Sequence, residues 1–372
     1  MQTACLYKFL NKIYPKARVE VIDYVTETSH NYNILNLYQK RRRFNISYKV
    51  RNDNFYNRWR KCNEFLQQHI KFSPEKLLTN DINLGKKFVE RQNYDLVFVG
   101  SDTVFQIGPH AGNRFISAPQ PPNLYFLPFE SDFRKIAFAA SVDPFHPQHL
   151  ENADKTGLRM SLNGFDSIFF RDEITNKVLE TLCVDPAKMN YMPDPSLLVD
   201  FDLLCSKDLL RMKGSNLVGV AVGNLQLTAK LMSALRSMNY QPVDLMGVPP
   251  SEGVITTEDI HSLEQFMAIH KQLQLVITDR FHGSIKTLIM GDCPVIGIEE
   301  SRKYPLENSK IRDLYKRLGI EEMLTRYNDE DINPNWIISR QQKWRWNKIE
   351  ILSAVQKLRC EAIEVLYKHD LL

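Results

Sequence analysis

Between residues 273 and 289 the chain changes character twice. Leu273 to Ile277 is apolar and ends abruptly in the polar run Thr278-Asp279-Arg280-Phe281-His282. Gly283 and Ser284 follow, and then Ile285, Leu288 and Ile289 recur at helical spacing. This pattern predicts a buried strand, a tight polar turn and a helix start. In open α/β sheets, ligands bind just beyond the carboxyl ends of such strands. A helix N-terminus at that place offers backbone N–H groups and a partial positive charge to an anion. Arg280 would stand beside the anion as a fixed cation, and His282 as a titratable group.

The same alternation runs along the chain. Residues 5–13 read as a helix and 19–25 as a strand, and the polar stretch 30–93 reads as a mostly helical insertion. Apolar strands are predicted at 96–99, 136–140, 167–170 and 197–199, and a second set at 217–222, 243–246, 275–277 and 295–298. Helical patterns such as 227–238 and 262–270 lie between them. Alternating strands and helices argue for α/β architecture with parallel sheets and right-handed crossovers. The polar break at 200–214 marks a boundary, so the expected domains are 1–200 and 215–330. A C-terminal helical segment, 331–372, would dock against the body through the apolar face of its last helix. A doubly wound domain usually opens with a strand and a glycine-bearing loop. This chain starts directly in a helix, so the first strand of the N-terminal domain is read as absent.

The 372 residues exceed one ordinary domain and suit two. The net charge is +4, from 48 basic and 44 acidic residues. That excess is too small to require nucleic acid; it permits an anionic substrate or peripheral association with a membrane surface. No apolar run approaches the roughly 18 residues needed to span a bilayer. Cys5, Cys62, Cys183, Cys205, Cys293 and Cys360 are scattered without C-x-x-C pairs, which reads as reduced thiols in a cytoplasmic protein with neither zinc nor disulfides.

Other strand ends carry candidate chemistry. Gly100 would let the backbone approach a ligand, and Ser101 and Asp102 either contact a sugar hydroxyl or cap a helix. Ser141 ends a strand in the same way. Arg171 either grips a carboxylate or phosphate with its fork or pairs internally with Asp172 or Glu173. Asp194, between Pro193 and Pro195, reads as a rigid structural turn. His146 and His149 have metal-like spacing but no Cys or carboxylate pattern beside them. Lys40 to Lys61 is the most basic stretch, interleaved with Tyr56 and Trp59; a solvated helical face is its favoured reading.

Together these blocks resemble the polysaccharide pyruvyl transferase family. In the family's order they are Tyr94-Asp95 to Gly100-Ser101-Asp102; Lys135-Ile136-Ala137-Phe138-Ala139-Ala140-Ser141; Phe170-Arg171-Asp172-Glu173 through Asp194-Pro195-Ser196-Leu197-Leu198; and Val276-Ile277-Thr278-Asp279-Arg280-Phe281-His282-Gly283. A weaker block runs from Glu299 through Asn308-Ser309-Lys310, and Cys5 to Leu10 matches the helix after the family's opening glycine loop. The pattern covers residues 2–325. It departs at Phe105, where the family often has Trp, and at Asp143, where Gly is usual; both bear on the acceptor. The resemblance implies two Rossmann-like domains facing a cleft, as in GT-B-type glycosyltransferases. It implies transfer of pyruvate from phosphoenolpyruvate onto two hydroxyls of a lipid-linked or nucleotide-linked sugar, giving a cyclic ketal; the expected place is the cytoplasm, with the inner face of the membrane as an option, and nothing in the chemistry calls for a cofactor or a metal. Arg280, Gly283 and Ser284 would then hold the donor phosphate, Arg171 the donor carboxylate, and Lys310 a further donor contact. His282 would move the proton, while Asp102, with Ser101 and Ser141, would meet the acceptor. A nucleotide-sugar glycosyltransferase, or a glycan-binding protein of a polysaccharide locus, would fit the same architecture.

Overall fold

Parallel strands covered by helices on both faces need apolar side chains on both faces. The central strands of this protein have them: Ile136 to Ala140, Val276 and Ile277 are wholly buried. The computed structural model describes residues 1–30, 60–108, 119–200, 216–246, 263–291, 293–300, 309–327 and 347–372. Contacts divide the chain into unit 1 (Met1–Arg42, Ile70–Val199, Leu358–Leu372) and unit 2 (Arg43–His69, Asp200–Lys357).

Unit 1 runs α1 (Gln2–Ile13), β1 (Val21–Val25), β2 (Phe72–Leu78), α2 (Ile82–Arg91), β3 (Leu96–Asp102), β4 (Arg134–Ala140), α3 (Pro147–Glu151), α4 (Lys155–Asn163), β5 (Ser167–Phe170), α5 (Glu173–Thr181), β6 (Met189–Tyr191) and α6 (Pro195–Leu198). Strands β3-β4-β5-β6 form a parallel sheet in sequential order, and β1 and β2 form a parallel pair of their own. Unit 2 runs β7 (Leu217–Ala221), α7 (Leu225–Ser237), β8 (Gln241–Asp244), α8 (Leu263–Ile269), β9 (Leu275–Thr278), α9 (Phe281–Met290), β10 (Val295–Glu300), α10 (Lys310–Arg317) and β11 (Leu324–Tyr327). Its five strands are all parallel, in the order β11-β10-β9-β7-β8. Finally α11 (Lys348–Lys368) buries Ile351, Val355, Leu358, Ala362 and Leu366 along one face. Within unit 1 its Arg359 donates to the carbonyls of Leu197 at 2.7 Å and Val199 at 2.9 Å.

Three expectations change. Phe72–Leu78, inside the stretch read as helical, is strand β2; it carries Pro74 and buries only Ser73 and Leu77, so little period-2 signal shows. Residues 197–199, read as a strand, instead form the end of a helical turn and its C-cap, because Asp194 caps the turn and Pro195 opens it. The short edge strands β6 and β11 escaped notice, since three or four residues hold too few alternations to read. The basic run up to Trp59 and residues 331–346 lie outside the described residues. No described helix is long and apolar enough to cross a membrane.

His270, just after α8, is 1% exposed, and its Nδ1 lies 3.3 Å from the Met267 carbonyl. Burial, with Lys286 adding to it, pushes its pKa down to about 3. The folded state therefore keeps the ring neutral while the unfolded chain protonates it near pH 6.5. Its contribution to stability is full above that pH and is lost as pH falls toward 3. The melting temperature should fall between pH 6.5 and 4.5 more steeply in the native protein than in His270→Gln; parallel curves would remove His270 as the cause.

Candidate active site

In unit 1 the carboxyl edge of the sheet is organised by Arg171, at the end of β5. Its side chain is 2% exposed. Nη2 donates to Asp102 Oδ1 at 2.7 Å and Nη1 donates to Asp194 Oδ2 at 2.8 Å. Burial works against the charge, but the carboxylates of Asp194, Asp102 and Asp172 outweigh it and raise the guanidinium pKa. The fork expected to grip a donor carboxylate thus holds two carboxylates of the protein itself. Asp194, read as part of a rigid turn, is also a hub: it accepts from Ser196 N–H at 2.9 Å and from Gln2 Nε2 at 3.1 Å.

Ser141 is wholly buried, and its hydroxyl donates to Asp172 Oδ2 at 2.5 Å. Asp172 in turn accepts from Thr175 N–H at 3.0 Å and caps α5. Ser141 therefore supports a helix start, and its expected ligand contact is replaced by that bond. Asp102 keeps a 33% exposed side chain beyond its bond to Arg171 and caps no described helix. Gly100 sits at φ 149°, where a Cβ would come within 2.0 Å of the Phe138 carbonyl oxygen, so β3 can approach β4 there only as glycine. Phe105 stacks on Phe126 at 4.9 Å inside the core, and Asp143 is 2% exposed, so both departures from the family pattern are interior positions.

In unit 2 the strand order reverses between β7 and β9. Such a reversal opens the crevice where open α/β sheets bind ligands. The Thr278–Ser284 turn stands there, laced to the end of β7. Thr278 Oγ1 donates to the Ala221 carbonyl at 3.0 Å and accepts from Arg280 N–H at 2.9 Å. Gly223 N–H donates to Asp279 Oδ2 at 2.9 Å, and Asp279 Oδ1 lies 3.0 Å from Arg280 Nε. A Cβ at position 223 would meet Arg280 Nη2 at 2.2 Å, so Gly223 makes room for the guanidinium, which is 46% exposed.

Helix α9 begins at this turn with Arg280 as N-cap and no capping side chain, whereas Asn224 caps α7 and Ser309 caps α10. Gly283 lies in the first turn, where a Cβ would meet Thr278 Oγ1 at 2.7 Å. His282 sets its ring perpendicular to Phe281, 5.1 Å between centroids. Ser284 turns inward: it is wholly buried, its hydroxyl is 3.1 Å from Tyr315 Oη, and its N–H donates to the Arg280 carbonyl at 3.0 Å. Its expected contact with an anion is replaced by these internal bonds. Lys310 places Nζ 5.9 Å from the Phe281 ring centroid. Its helix is anchored by buried Glu299, which accepts from Ser309 Oγ at 2.5 Å and from Arg312 Nη2 at 2.6 Å.

Sequence reasoning missed Gly223, Tyr315 and the anchoring role of Glu299. Gly223 had a readable signal, a glycine and a capping Asn directly after an apolar strand.

A family model described as polysaccharide pyruvyl transferase matches residues 1–302. The chain belongs to this family. No curated protein sequence matches this pyruvyl transferase family member. Among solved structures it is similar to a putative UDP-N-acetylglucosamine 2-epimerase from Listeria monocytogenes, at 11% identity and TM-score 0.50, covering 95% of this chain and 90% of that one. The UDP-GlcNAc 2-epimerase of Methanocaldococcus jannaschii gives 11% identity and TM-score 0.50 over 82% and 88% of the two chains. S. aureus MnaA, solved with UDP, gives 9% and 0.50 over 95% and 98%. At these identities the likeness concerns the fold alone, a GT-B-like α/β fold with Rossmann-like domains.

Because Arg171 is buried with two carboxylates, removing one should cost more than replacing the pair. Asp194→Ala should destabilise unit 1 by about 3–5 kcal/mol, and Arg171→Met with Asp194→Leu by clearly less. Urea denaturation followed by circular dichroism checks this; equal losses would show that the charge is not what is being satisfied.

Proposed function

We propose that this pyruvyl transferase family member moves the pyruvyl group of phosphoenolpyruvate onto two hydroxyls of one sugar in a polysaccharide precursor, forming a cyclic ketal. The observation that carries the reading is the turn at the β7–β9 reversal. There an uncapped helix start, a half-exposed guanidinium and an imidazole belong to one short segment.

Phosphoenolpyruvate presents a phosphate and a carboxylate, so its site needs fixed positive charge and N–H donors. Arg280 and the first-turn N–H groups of α9 would take the phosphate. His282 would deliver a proton to the methylene carbon, which becomes the methyl group as positive character grows at C2. A sugar hydroxyl bonds to C2 and returns a proton to His282, phosphate leaves with its bridging oxygen, and the second hydroxyl closes the ring at C2 as its proton passes to the departing phosphate. His282 is suited to both proton transfers, because an imidazole can both donate and accept a proton. Lys310 adds a second cation for the donor. In unit 1 the acceptor contacts are Ser101 and Asp102. Arg171 is a positioning residue that fixes the Asp102 carboxylate through its 2.7 Å bond. The acceptor is a lipid-linked or nucleotide-linked sugar, and the chemistry draws on the chain's own side chains and backbone N–H groups.

Incubation with phosphoenolpyruvate and a candidate acceptor should release inorganic phosphate and yield a sugar heavier by a pyruvyl ketal, with no nucleotide-sugar donor added. A strict requirement for a nucleotide sugar donor would overturn the reading in favour of glycosyl transfer. Arg280→Ala should raise the KM for phosphoenolpyruvate about 10- to 100-fold, the range expected for losing a hydrogen bond to a charged group. His282→Ala should lower kcat by about 10² to 10⁴. Wild-type kinetics in either variant would remove that residue from the site.

A further inference from the structure

In unit 2 the turn after β7 meets the turn after β9 through one glycine. Gly223 N–H donates to Asp279 Oδ2 at 2.9 Å. The other oxygen, Oδ1, makes no aligned hydrogen bond among the described residues and instead forms an ion pair, 3.0 Å from Arg280 Nε. A Cβ at Gly223 would overlap Arg280 Nη2 and come within 3.2 Å of its Cζ. The guanidinium is thus held at Nε by a carboxylate and seated at Nη2 against bare backbone.

The backbone on both sides of this grip is tied down. Before Gly223, Val222 is 1% exposed and its carbonyl accepts from Thr228 Oγ1 at 2.9 Å. After it, Asn224 Oδ1 accepts from the N–H groups of Gln226 at 3.0 Å and Leu227 at 3.1 Å. Across the turn, Thr278 Oγ1 bonds both the Ala221 carbonyl and Arg280 N–H. What can move is the guanidinium, half exposed at the end of a long side chain.

We propose that Gly223 is a positioning residue of the phosphoenolpyruvate site. By having no side chain, and by holding Asp279, it keeps the Arg280 guanidinium in the pose that meets an anion at the start of α9. The inference rests on the reading of Arg280 as the phosphate contact. An exposed arginine samples several rotamers, and ordering it only when the ligand arrives costs affinity. A guanidinium already seated loses less freedom on binding.

A methyl group at position 223 would take the seat of Nη2. The overlap falls on the far end of a flexible side chain, so it is relieved by rotating Arg280 rather than by straining the fold. Gly223 also lies outside the left-handed φ region, so alanine meets no backbone penalty there. Gly100 is the opposite case, because its Cβ would meet the Phe138 carbonyl, which is backbone inside the sheet. Gly223→Ala therefore separates donor binding from stability.

The test uses the full chain as Gly223→Ala, Arg280→Ala and the double variant. It reads calorimetric titration with phosphoenolpyruvate, together with KM and kcat in the presence of an acceptor. Gly223→Ala should weaken binding and raise the KM for phosphoenolpyruvate about tenfold, with kcat close to native, the pattern of lost ground-state binding. In the Arg280→Ala background the same change should alter affinity by less than about twofold, because the group it displaces is gone. Native affinity in Gly223→Ala beside weakened Arg280→Ala would overturn the role of Gly223 and leave Arg280 in place. An equal loss in both backgrounds would overturn it too, as would a melting temperature lowered by about 4 °C or more in Gly223→Ala, which marks a fold that yields. Native affinity in both single variants, or no binding by the native chain, would overturn the donor-site reading itself and this inference with it.

Discussion

A guanidinium removed from water must be met by carboxylates, and in unit 1 that requirement assembles the whole carboxyl edge of the sheet. Arg171 sits at the end of β5 with a 2% exposed side chain. Its two bonds reach back to the end of β3 and forward to the turn that opens α6. Through Asp194 the same cluster touches Gln2 and so fixes where α1 begins. Four segments distant in sequence therefore share one charge balance. Desolvation makes such a cluster costly unless every member is in place. That cost gives the edge one arrangement rather than several, and the position of Asp102 is set by it.

Unit 2 reaches a defined edge by different means. Its turn is held by short-range bonds: the Thr278 hydroxyl spans to the Ala221 carbonyl, and Gly223 N–H spans to Asp279. Behind it, Ser284 and Tyr315 share a buried hydrogen bond, and Glu299 ties Ser309 and Arg312 to the end of β10. None of these bonds uses the Arg280 guanidinium as a buried tie, and its side chain stays 46% exposed. The contrast with Arg171 is one of burial. Two arginines at strand ends look alike in sequence, yet one neutralises buried carboxylates and the other keeps its guanidinium half exposed.

That difference marks how far the sequence could be read. Strand-to-turn signals at residues 96–102, 136–141, 167–171 and 275–284 were legible because buried parallel strands are continuous apolar runs and their ends are abruptly polar. The partners across the sheet were not legible. Asp194 lies 23 residues from Arg171 and Asp102 lies 69 away, and nothing local distinguishes these carboxylates from solvated ones. Ser141 and Ser284 illustrate the same limit. A small hydroxyl at a strand end or helix start serves a ligand or an internal cap equally well, and only burial decides. Strand β2 was hidden for another reason, because a proline-bearing pair at an edge shows little alternation.

The residues that remain for chemistry are those that packing does not consume. A side chain that closes an internal hydrogen bond in a dry interior cannot also rearrange around a transition state without breaking that bond, which costs the desolvation of whatever it leaves behind. Arg171, Ser141 and Ser284 are in that position. Arg280 and the exposed part of Asp102 are not, and His282 sits on the same first turn as the uncapped helix start. Within each unit the proposed reaction thus separates supports from reacting groups by burial. Under that proposal a preorganised Asp102 or Arg280 would need no reordering when charge develops on the substrate, which is where electrostatic catalysis gains most of its effect.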